Sequence, residues 1–363
     1  MNPTWQAYLQ SRGAVIQDGC VANYGDSAAE LESARSTTIV ADLSHFGLIH
    51  FSGEDAQSFL QGQLSCDVSE INPDIAHSTA LHGSYCNPKG RMLANFLIWH
   101  LVYPGSSGYV MQLPWALQAA IQKRLSMFVL RAKVKLFDTS DVRVRIGVAG
   151  GHADALVQKN LGTVPVSHLD VVHCQYGSAI RLAQGRFELV IAPERAPAIW
   201  ERLSKNAIPV GVSCWDWLEI KAGIPMITAA TQEQFVPQMV NLEAIGGVSF
   251  QKGCYPGQEI VARTEYRGKV KRRMVRANIR PPPVSPAMPA TPGMLVAVGD
   301  ELFSTNMGEQ SSGMIVNAAP APGGGFDVLA VTQISSTEAG TIHWKSLDGP
   351  SLEIMPLPYS VNN

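Results

Sequence analysis

The thiol of Cys254 is the group in this sequence whose surroundings best suit it for chemistry. It lies in the segment 250–259, FQKGCYPGQE, whose glycines and proline predict a tight turn. The turn presents Cys254 beside the cation Lys252, and a nearby positive charge stabilises a thiolate over a thiol. A helix is predicted from Gln258, and its N-terminus would add partial positive charge. The alternative is that Cys254 fills a small packing site, as most lone cysteines do.

A dense run of positive charge follows, from Arg263 to Arg280. It holds eight Lys/Arg and one acid, a net charge of +7, so the rest of the chain carries −9 within a formal total of −2. That asymmetry indicates a local anion site, for which an anionic ligand tail and RNA phosphate are the leading partners. The letters KVK at 269–271 fit a solvated strand face equally well, and both interpretations stay open.

A third feature is the segment 87–91, NPKGR, between β-like runs at 79–85 and 92–100. Turn chemistry accounts for its Asn, Pro and Gly, which leaves Lys89 and Arg91 as surface cations or ligand contacts. No C-x-x-C pair, H-E-x-x-H or phosphate-binding glycine loop is present. The sequence therefore predicts no metal site and no nucleotide-phosphate cradle.

The scaffold that must position these residues is predicted to be α+β. The chain has 363 residues, 46% of them hydrophobic, enough for two or three domains. Helical spacing is predicted from 56, from Pro114 and over 194–206, and strands over 131–137, 142–148 and 187–191. These alternate without a strict βαβ rhythm, which favours α+β.

Six prolines within 281–292 predict a stiff connector and therefore two regions, 1–280 and 281–363. Beyond the connector, β-like runs at 294–298, 313–316 and 326–334, with no convincing helix, predict a small β-barrel. The chain starts without a basic or apolar leader pattern, and no apolar run approaches 18 residues. We expect a cytoplasmic protein with reduced thiols, no membrane contact and no general affinity for nucleic acids.

Four segments together resemble the YgfZ family, the folate-binding proteins of iron–sulfur cluster assembly and repair. The octapeptide KGCYPGQE at 252–259 matches that family's K-G-C-[FY]-x-G-Q-E signature. FLQGQLSCDV at 59–68, NPKGR at 87–91 and AGIP at 222–225 agree with it in order and spacing. The resemblance runs from about Val40 to the C-terminal region.

The resemblance implies the fold of the glycine-cleavage T-protein, an aminomethyltransferase. In that fold three domains ring a central channel for tetrahydrofolate, the first two interleave in sequence, and the third is a β-barrel. It implies a protein that uses tetrahydrofolate or a one-carbon derivative to support iron–sulfur client enzymes, including tRNA-modifying ones. Cys254 and Lys252 would be the functional pair, and tRNA contact would run through Arg263–Arg280. The candidate folate-binding residues are Arg91, Asn95, Glu219, Asn241, Tyr255 and Arg263.

Two departures from the T-protein pattern bear on the activity. Where the T-protein has two aspartates, one of them essential for aminomethyl transfer, this chain has Ala94 and Asn95, which carry no negative charge. Lys221 stands where a glutamate accepts hydrogen bonds from the pterin, although Glu219 could substitute in a shifted register. Aminomethyl transfer and a non-enzymatic tRNA-binding module are the alternative functions.

Overall fold

The computed structural model describes residues 1–73, 77–103, 106–266, 270–280 and 295–361. The connector prolines predicted at 281–292 lie outside these ranges, as do Arg267 and Lys269 of the basic run. The boundary at Arg280 therefore stays a prediction.

Helices and runs of one to four strands are interspersed along the described chain. The α-helices are α1 (Pro3–Ser11), α2 (Ser27–Ser36), α3 (Ala56–Gln61), α4 (Trp115–Ser126), α5 (Ala153–Leu161), α6 (Ala196–Leu203), α7 (Val212–Lys221), α8 (Gln258–Tyr266) and α9 (Ile334–Ala339). The first ten strands are β1 (Val15–Gln17), β2 (Cys20–Asn23), β3 (Ile39–Asp42), β4 (Phe46–Ser52), β5 (His77–Thr79), β6 (Leu81–Cys86), β7 (Met92–Tyr103), β8 (Ser106–Pro114), β9 (Lys135–Asp138) and β10 (Val144–Ala149). The others are β11 (Asp170–Cys174), β12 (Gly177–Ala183), β13 (Arg186–Ile191), β14 (Ile208–Val210), β15 (Arg272–Ile279), β16 (Glu301–Ser304), β17 (Ser311–Pro320), β18 (Phe326–Gln333), β19 (Ile342–Trp344) and β20 (Leu352–Met355). Short 3₁₀ turns occur at Val68–Glu70, Pro237–Val240, Glu243–Ile245 and Thr305–Met307.

The chain forms two compact units that interleave in sequence. Unit 1 comprises Met1–Tyr85, Ala94–Trp215 and Gly246–Pro256. Unit 2 comprises Cys86–Leu93, Asp216–Ile245 and Gly257–Asn363.

Beside the two-stranded sheet β1-β2, unit 1 contains two larger sheets, a seven-stranded one in the order β14-β3-β10-β13-β12-β11-β5 and a five-stranded one in the order β6-β7-β8-β4-β9. Residues of both sheets, including Trp99 and Val190, share one buried apolar cluster, so the sheets pack face to face. The other face of the larger sheet carries α1, α5 and α6. In α6, Ala196, Ile199, Trp200 and Leu203 are buried at the i, i+3, i+4, i+7 spacing of an amphipathic helix.

Unit 2 contains a six-stranded antiparallel sheet in the order β19-β16-β17-β18-β15-β20. The two edge strands are consecutive in the chain and meet at an isolated bridge between His343 and Ser351. That contact curls the sheet into a half-barrel around an apolar core that includes Ile315 and Trp344. The α+β class and the predicted β structure of the C-terminal region are confirmed.

Several predicted elements match and three differ. The helices expected from Pro114, within 194–206 and from Gln258 are present as α4, α6 and α8. The strand expected over 131–137 begins only at Lys135, because the Lys133 N–H is held by the Asp55 carboxylate in a loop. No strand forms within 295–298, where Asp300 accepts from the Ala297 N–H in a turn.

The expectation of no helix beyond residue 281 was wrong. Helix α9 forms from residues 334–339, ISSTEA, four of which are polar, and the Ser336 hydroxyl donates to Asn306 Oδ1 at 2.9 Å. This helix depends on a tertiary contact that its own sequence pattern does not reveal.

Candidate functional site

The predicted site residues fall into both units. Asn95, Lys252, Cys254 and Tyr255 belong to unit 1, and Arg91, Glu219, Asn241 and Arg263 belong to unit 2.

Lys252 is the most constrained of these residues. It is only 9% exposed, and its Nζ donates to the carbonyl oxygens of Leu64 at 2.7 Å and Cys66 at 2.6 Å. The ammonium also lies 5.5 Å from the centroid of the Tyr255 ring, a cation–π contact. Burial lowers the pKa of Lys252, and nearby Cys66 and Asp67 oppose that shift. Lys252 therefore anchors its loop to the segment 64–66.

Cys254, two residues further on, is the exposed member of the six cysteines. Cys20 and Cys174 are half-buried, and Cys66, Cys86 and Cys214 are buried. Cys254 thus does not fill a packing site, and its thiol is open to a partner. That Lys252 favours the thiolate of Cys254 stays a prediction.

Cys66 presents the opposite environment. Burial raises the pKa of its thiol to about 12, although the Lys252 ammonium acts to lower it. A Cβ at Gly83 would lie 2.7 Å from Cys66 Sγ, so the close approach requires glycine there. At neutral pH Cys66 is a neutral, enclosed thiol.

Ser65 ties the same loop down from a second side. Its hydroxyl donates to Gly247 O at 2.6 Å and accepts from the Ser84 N–H at 2.8 Å. Its carbonyl accepts from the Ser249 N–H at 2.9 Å. The segment 246–256 is therefore held to 64–66 by backbone and side-chain bonds together.

Gln61 and Asp67 also shape the site. Both lie in the segment FLQGQLSCDV at 59–68, but their letters alone do not show their role. Gln61 Nε2 donates to Asp67 Oδ1 at 2.8 Å, and Gln61 Oε1 accepts from the Val68 N–H at 2.8 Å. Hydrogen bonding, chiefly from Ser69, lowers the pKa of Asp67. The pair fixes the turn that carries the carbonyl acceptors of Lys252.

The positions of the missing aspartates lie in β7. Ala94 is fully buried and Asn95 is 7% exposed. Neither side chain carries a charge, so β7 presents no carboxylate at these two positions.

In unit 2 the segment 87–91 is built around Asn87. Its Oδ1 accepts from the N–H groups of Lys89 at 2.9 Å and Arg91 at 3.0 Å, and its Nδ2 donates to Glu233 Oε1 at 3.2 Å. The Arg91 guanidinium donates to the carbonyl of Gln234. Asn87 orders the turn, and Arg91 is committed to a backbone contact.

The start of α8 packs against this turn. Gly257 has φ +83°, and a Cβ there would lie 2.5 Å from Asn87 O and 2.7 Å from Gly90 Cα. Only glycine permits both the backbone conformation and the contact. The second glycine of KGCYPGQE therefore has a packing role.

Asn241 is fully buried in the left-handed conformation, and its Nδ2 donates to Met274 O at 2.9 Å. Its Oδ1 accepts no hydrogen bond within the described residues, because the nearby Tyr359 hydroxyl donates its proton to Gly223 O at 2.7 Å. Burial raises the pKa of Tyr359 to about 12.

The C-terminal part of α7 carries Glu219 and Lys221, the two residues that bear on pterin binding. Lys221 is exposed, and its ammonium lies 5.1 Å from the Trp217 ring centroid. Glu219 is half-buried, and Asp216 lies one helical turn before it. Burial, aided by the charge of Glu219, raises the pKa of Asp216 to about 7. The carboxylates, not Lys221, are the acceptors here.

The basic run divides into paired and exposed charges. Arg273 forms an ion pair with Glu243 and donates to Gln238 O at 2.7 Å, and Arg276 lies 3.5 Å from Asp327. Arg263, Lys271 and Arg280 are exposed and Arg272 is half-buried. Two of the eight cations are thus neutralised within unit 2, and the net charge of +7 overstates the field at the surface.

Within the described ranges, no group of three or more His, Cys, Asp and Glu side chains is placed to hold a metal ion. None of the helices in those ranges has both the length and the apolar character required to cross a bilayer.

Comparison with known proteins agrees with this arrangement. Residues 21–252 match the GCVT N-terminal domain. The tRNA-modifying protein YgfZ of Sodalis glossinidius is 30% identical over 337 residues, covering 91% of this chain and 96% of the relative. The YgfZ of Colwellia psychrerythraea is 37% identical over 244 residues, covering 66% of this chain and 72% of that protein. The chain belongs to the YgfZ family.

A solved structure supports the fold. The glycine cleavage system aminomethyltransferase T from Bartonella henselae superimposes with a TM-score of 0.73 at 17% identity, covering 98% of this chain and 96% of that one. The resemblance drawn from KGCYPGQE and its companion segments is therefore confirmed for family and fold. The roles of the individual site residues stay predictions.

Proposed function

We propose that this protein is a tetrahydrofolate-dependent accessory protein of the cytoplasm that supports assembly or repair of iron–sulfur enzymes, including tRNA-modifying ones. The observation that carries the proposal is the 250–259 loop, in which a buried Lys252 holds the backbone and Cys254 stays exposed. A rigid base with an open thiol suits presentation of that thiol to a second protein. The YgfZ relatives are named for tRNA modification, which supports the link to tRNA-modifying clients.

Cys254 would act together with a client. An iron–sulfur cluster usually takes four protein ligands, and Cys254 is the exposed cysteine of the six. The thiol would therefore supply one contact to a cluster or to a client's cysteine while the client supplies the others. Lys252 is proposed to position the loop that presents the thiol.

Tetrahydrofolate would supply a carrier for a one-carbon unit. A pterin ring presents N–H donors, so it needs buried acceptors. Unit 2 offers acceptors in the half-buried Glu219 and in the buried Asn241 Oδ1, which accepts no hydrogen bond from the described residues. These residues fit the group, and we propose that Glu219 and Asn241, with Arg91 and Arg263 of the same unit, hold it. Asn95 and Tyr255 of unit 1 stay candidate folate contacts from the family resemblance.

Aminomethyl transfer is not part of the proposal, because Ala94 and Asn95 leave a developing cation without a counter-charge. Incubation with tetrahydrofolate and a lipoylated aminomethyl donor should yield no methylene-tetrahydrofolate. Measurable methylene-tetrahydrofolate from the unaltered protein would show that it is an aminomethyltransferase.

Two experiments test the proposal. Isothermal titration should detect tetrahydrofolate binding, and Glu219→Gln should weaken it about tenfold or more through loss of a charged acceptor, whereas the exposed Glu353→Gln should not. In cells lacking the natural protein, Cys254→Ser should fail to restore iron–sulfur enzyme activity, and the half-buried Cys20→Ser should restore it. Full restoration by Cys254→Ser would refute the role of the thiol, and absence of folate binding would refute the role of folate.

A further inference from the structure

The loop between α4 and β9 holds large apolar side chains in solvent. Met127, Phe128 and Leu130 are 60%, 45% and 88% exposed, and Leu130 is the most exposed of the large hydrophobic residues in the described ranges. We call these three residues the apolar tip. A single exposed hydrophobic residue is normal at a protein surface, whereas several gathered at one place are typical of an interaction site.

The apolar tip is an ordered protrusion and not a gap in the core. Leu125 before it and Val134 after it are both buried, so the core is closed on either side of the loop. Turn bonds run through the loop, from the Phe128 N–H to Leu125 O at 3.0 Å and from the Ala132 N–H to Val129 O at 2.8 Å. Because these turns are already formed, a partner that covers the tip has little backbone ordering to offset.

Positive charge borders the apolar tip on both sides. Residues 123–135 contain five Lys/Arg and no Asp/Glu. Lys133 is paired with Glu54 at 2.9 Å, whereas the exposed side chains of Lys123 and Arg131 form no hydrogen bond or ion pair with the described residues. Lys123 lies four residues before the tip, and Arg131 directly follows it. These two cations are therefore available to an anionic partner.

The shape and the charge of the tip together select that partner. Its residues follow one another through a turn, where successive side chains point in different directions, so the tip is apolar on more than one side. A groove on another protein would leave part of such a protrusion in water, and nucleic acid offers phosphates without an apolar phase. The surface of a bilayer surrounds a small apolar protrusion from all sides, and its anionic headgroups attract the bordering cations.

We propose that the apolar tip inserts into the headgroup layer of an anionic membrane, with Lys123 and Arg131 against the lipid phosphates. The contact is peripheral, so it departs from the expectation of no membrane contact, which rested on the length that an apolar segment needs to cross a bilayer. The membrane face that a cytoplasmic protein meets carries anionic lipids. Three apolar residues and two cations would give weak, reversible binding, comparable to that of a single acyl chain.

The test is co-sedimentation of the full chain with vesicles of phosphatidylcholine containing about 30% phosphatidylglycerol, and with vesicles of phosphatidylcholine alone. The wild type should bind the anionic vesicles at least about tenfold more tightly than the neutral ones, because two cations gain from the surface potential. Added salt should weaken the binding to the anionic vesicles, since it screens that attraction.

Two variants separate the apolar and the electrostatic parts. Leu130→Ser should weaken binding to the anionic vesicles about tenfold, whereas the matched Val166→Ser, at a position of unit 1 that is 79% exposed, should not. Lys123→Glu/Arg131→Glu should abolish the preference for anionic vesicles. Its control reverses two exposed cations elsewhere in unit 1, as Lys159→Glu/Lys205→Glu, and should keep the preference. Circular dichroism should show that all four variants are folded.

Absence of vesicle binding, equal binding to both kinds of vesicle, or equal loss in a tip variant and its control would overturn the proposal. So would a wild type that ignores vesicles but forms a dimer that Leu130→Ser dissolves, because the tip would then cover a second copy of the chain. Folate binding and iron–sulfur support are measured without vesicles, so failure here leaves the proposed function standing.

Discussion

Two loops of this molecule are each organised by one polar side chain, and they use it in opposite ways. In unit 1, Lys252 donates to two carbonyl oxygens of the segment 64–66. In unit 2, Asn87 accepts from two N–H groups of its own turn. The first side chain is charged and bridges segments nearly 190 residues apart. The second is neutral and bonds mainly within its own turn, with one further bond to Glu233.

The difference teaches where each loop's stability comes from. Asn87 imposes a turn that its neighbours already favour, because proline and glycine flank it. Lys252 holds together segments that have no local reason to meet, and it does so with a buried charge that is tolerated only while both carbonyls accept from it. Replacing Lys252 should therefore do more damage than replacing Asn87.

The largest effect is expected from Lys252→Met. The variant keeps the length of the side chain but leaves the carbonyls of Leu64 and Cys66 buried without a donor, and each such loss costs about 1–3 kcal/mol. We expect unit 1 to lose about 3 kcal/mol of unfolding free energy. Hydrogen exchange at the Ser249 N–H, which bonds Ser65 O, should accelerate in the same variant.

Lys89→Met is the matched control, because Lys89 is exposed in the other loop. It should change the unfolding free energy by less than about 0.5 kcal/mol. Equal effects of the two substitutions would mean that Lys252 does not anchor its loop.

A smaller loss is expected from Asn87→Ala. Two N–H groups lose their acceptor, but the turn is close to solvent and water can replace part of the bonding. The free energy of unfolding should fall by about 1–2 kcal/mol, measured by chemical denaturation, against no clear change for the exposed Asn206→Ala. If Asn87→Ala lowered the unfolding free energy more than Lys252→Met does, Asn87 would be the more important anchor of the two.

The sequence predicted much of the scaffold because its signals are local. Helices α4 and α6 follow from apolar spacing, and α8 follows the turn at Pro256 and Gly257. The sequence pattern does not predict helix α9, because most of its residues are polar and the contact from Ser336 to Asn306 is tertiary. Alternating charge in a loop mimics the period of a strand, so the pattern predicts a strand over the early part of 131–137 where the structure has a loop.

The sequence identifies the residues of the candidate site, but it does not predict the orientation of their side chains. The motif KGCYPGQE located Lys252 and Cys254, and the structure places one buried and the other exposed. That the ammonium meets the carbonyls of 64–66 depends on a fold contact that no local pattern encodes. The same limit applies to charge, since the count of +7 could not show that Arg273 and Arg276 are paired internally.

The pH dependence separates the two loops further. Burial lowers the pKa of Lys252, so between its folded pKa and the unfolded value of about 10.4 the unfolded chain binds more protons. Stability of the wild type relative to Lys252→Met should therefore rise with pH through that window. Cys66 stays a thiol in both proteins there and cancels from the difference.

Asn87 does not titrate, so the difference in unfolding free energy between the wild type and Asn87→Ala should not change with pH over the same range. Denaturation of the three proteins between pH 7 and about pH 10 checks both statements. If the difference in unfolding free energy between the wild type and Lys252→Met is also independent of pH, the Lys252 ammonium of the folded wild type is solvated rather than buried.

The smallest effect on stability is expected at Cys254. Because its side chain is exposed, Cys254→Ala should change the unfolding free energy by less than about 0.5 kcal/mol. Alkylation followed by mass spectrometry should modify Cys254 first in the wild type, and the alanine variant should lack that fast phase. Faster reaction at the half-buried Cys20 or Cys174 would contradict this order. The same reagent tests the anchor. The looser loop of Lys252→Met should open transiently and let Cys66 react slowly as a second thiol, while Cys66 stays enclosed in the folded majority; Asn87→Ala should leave Cys66 protected.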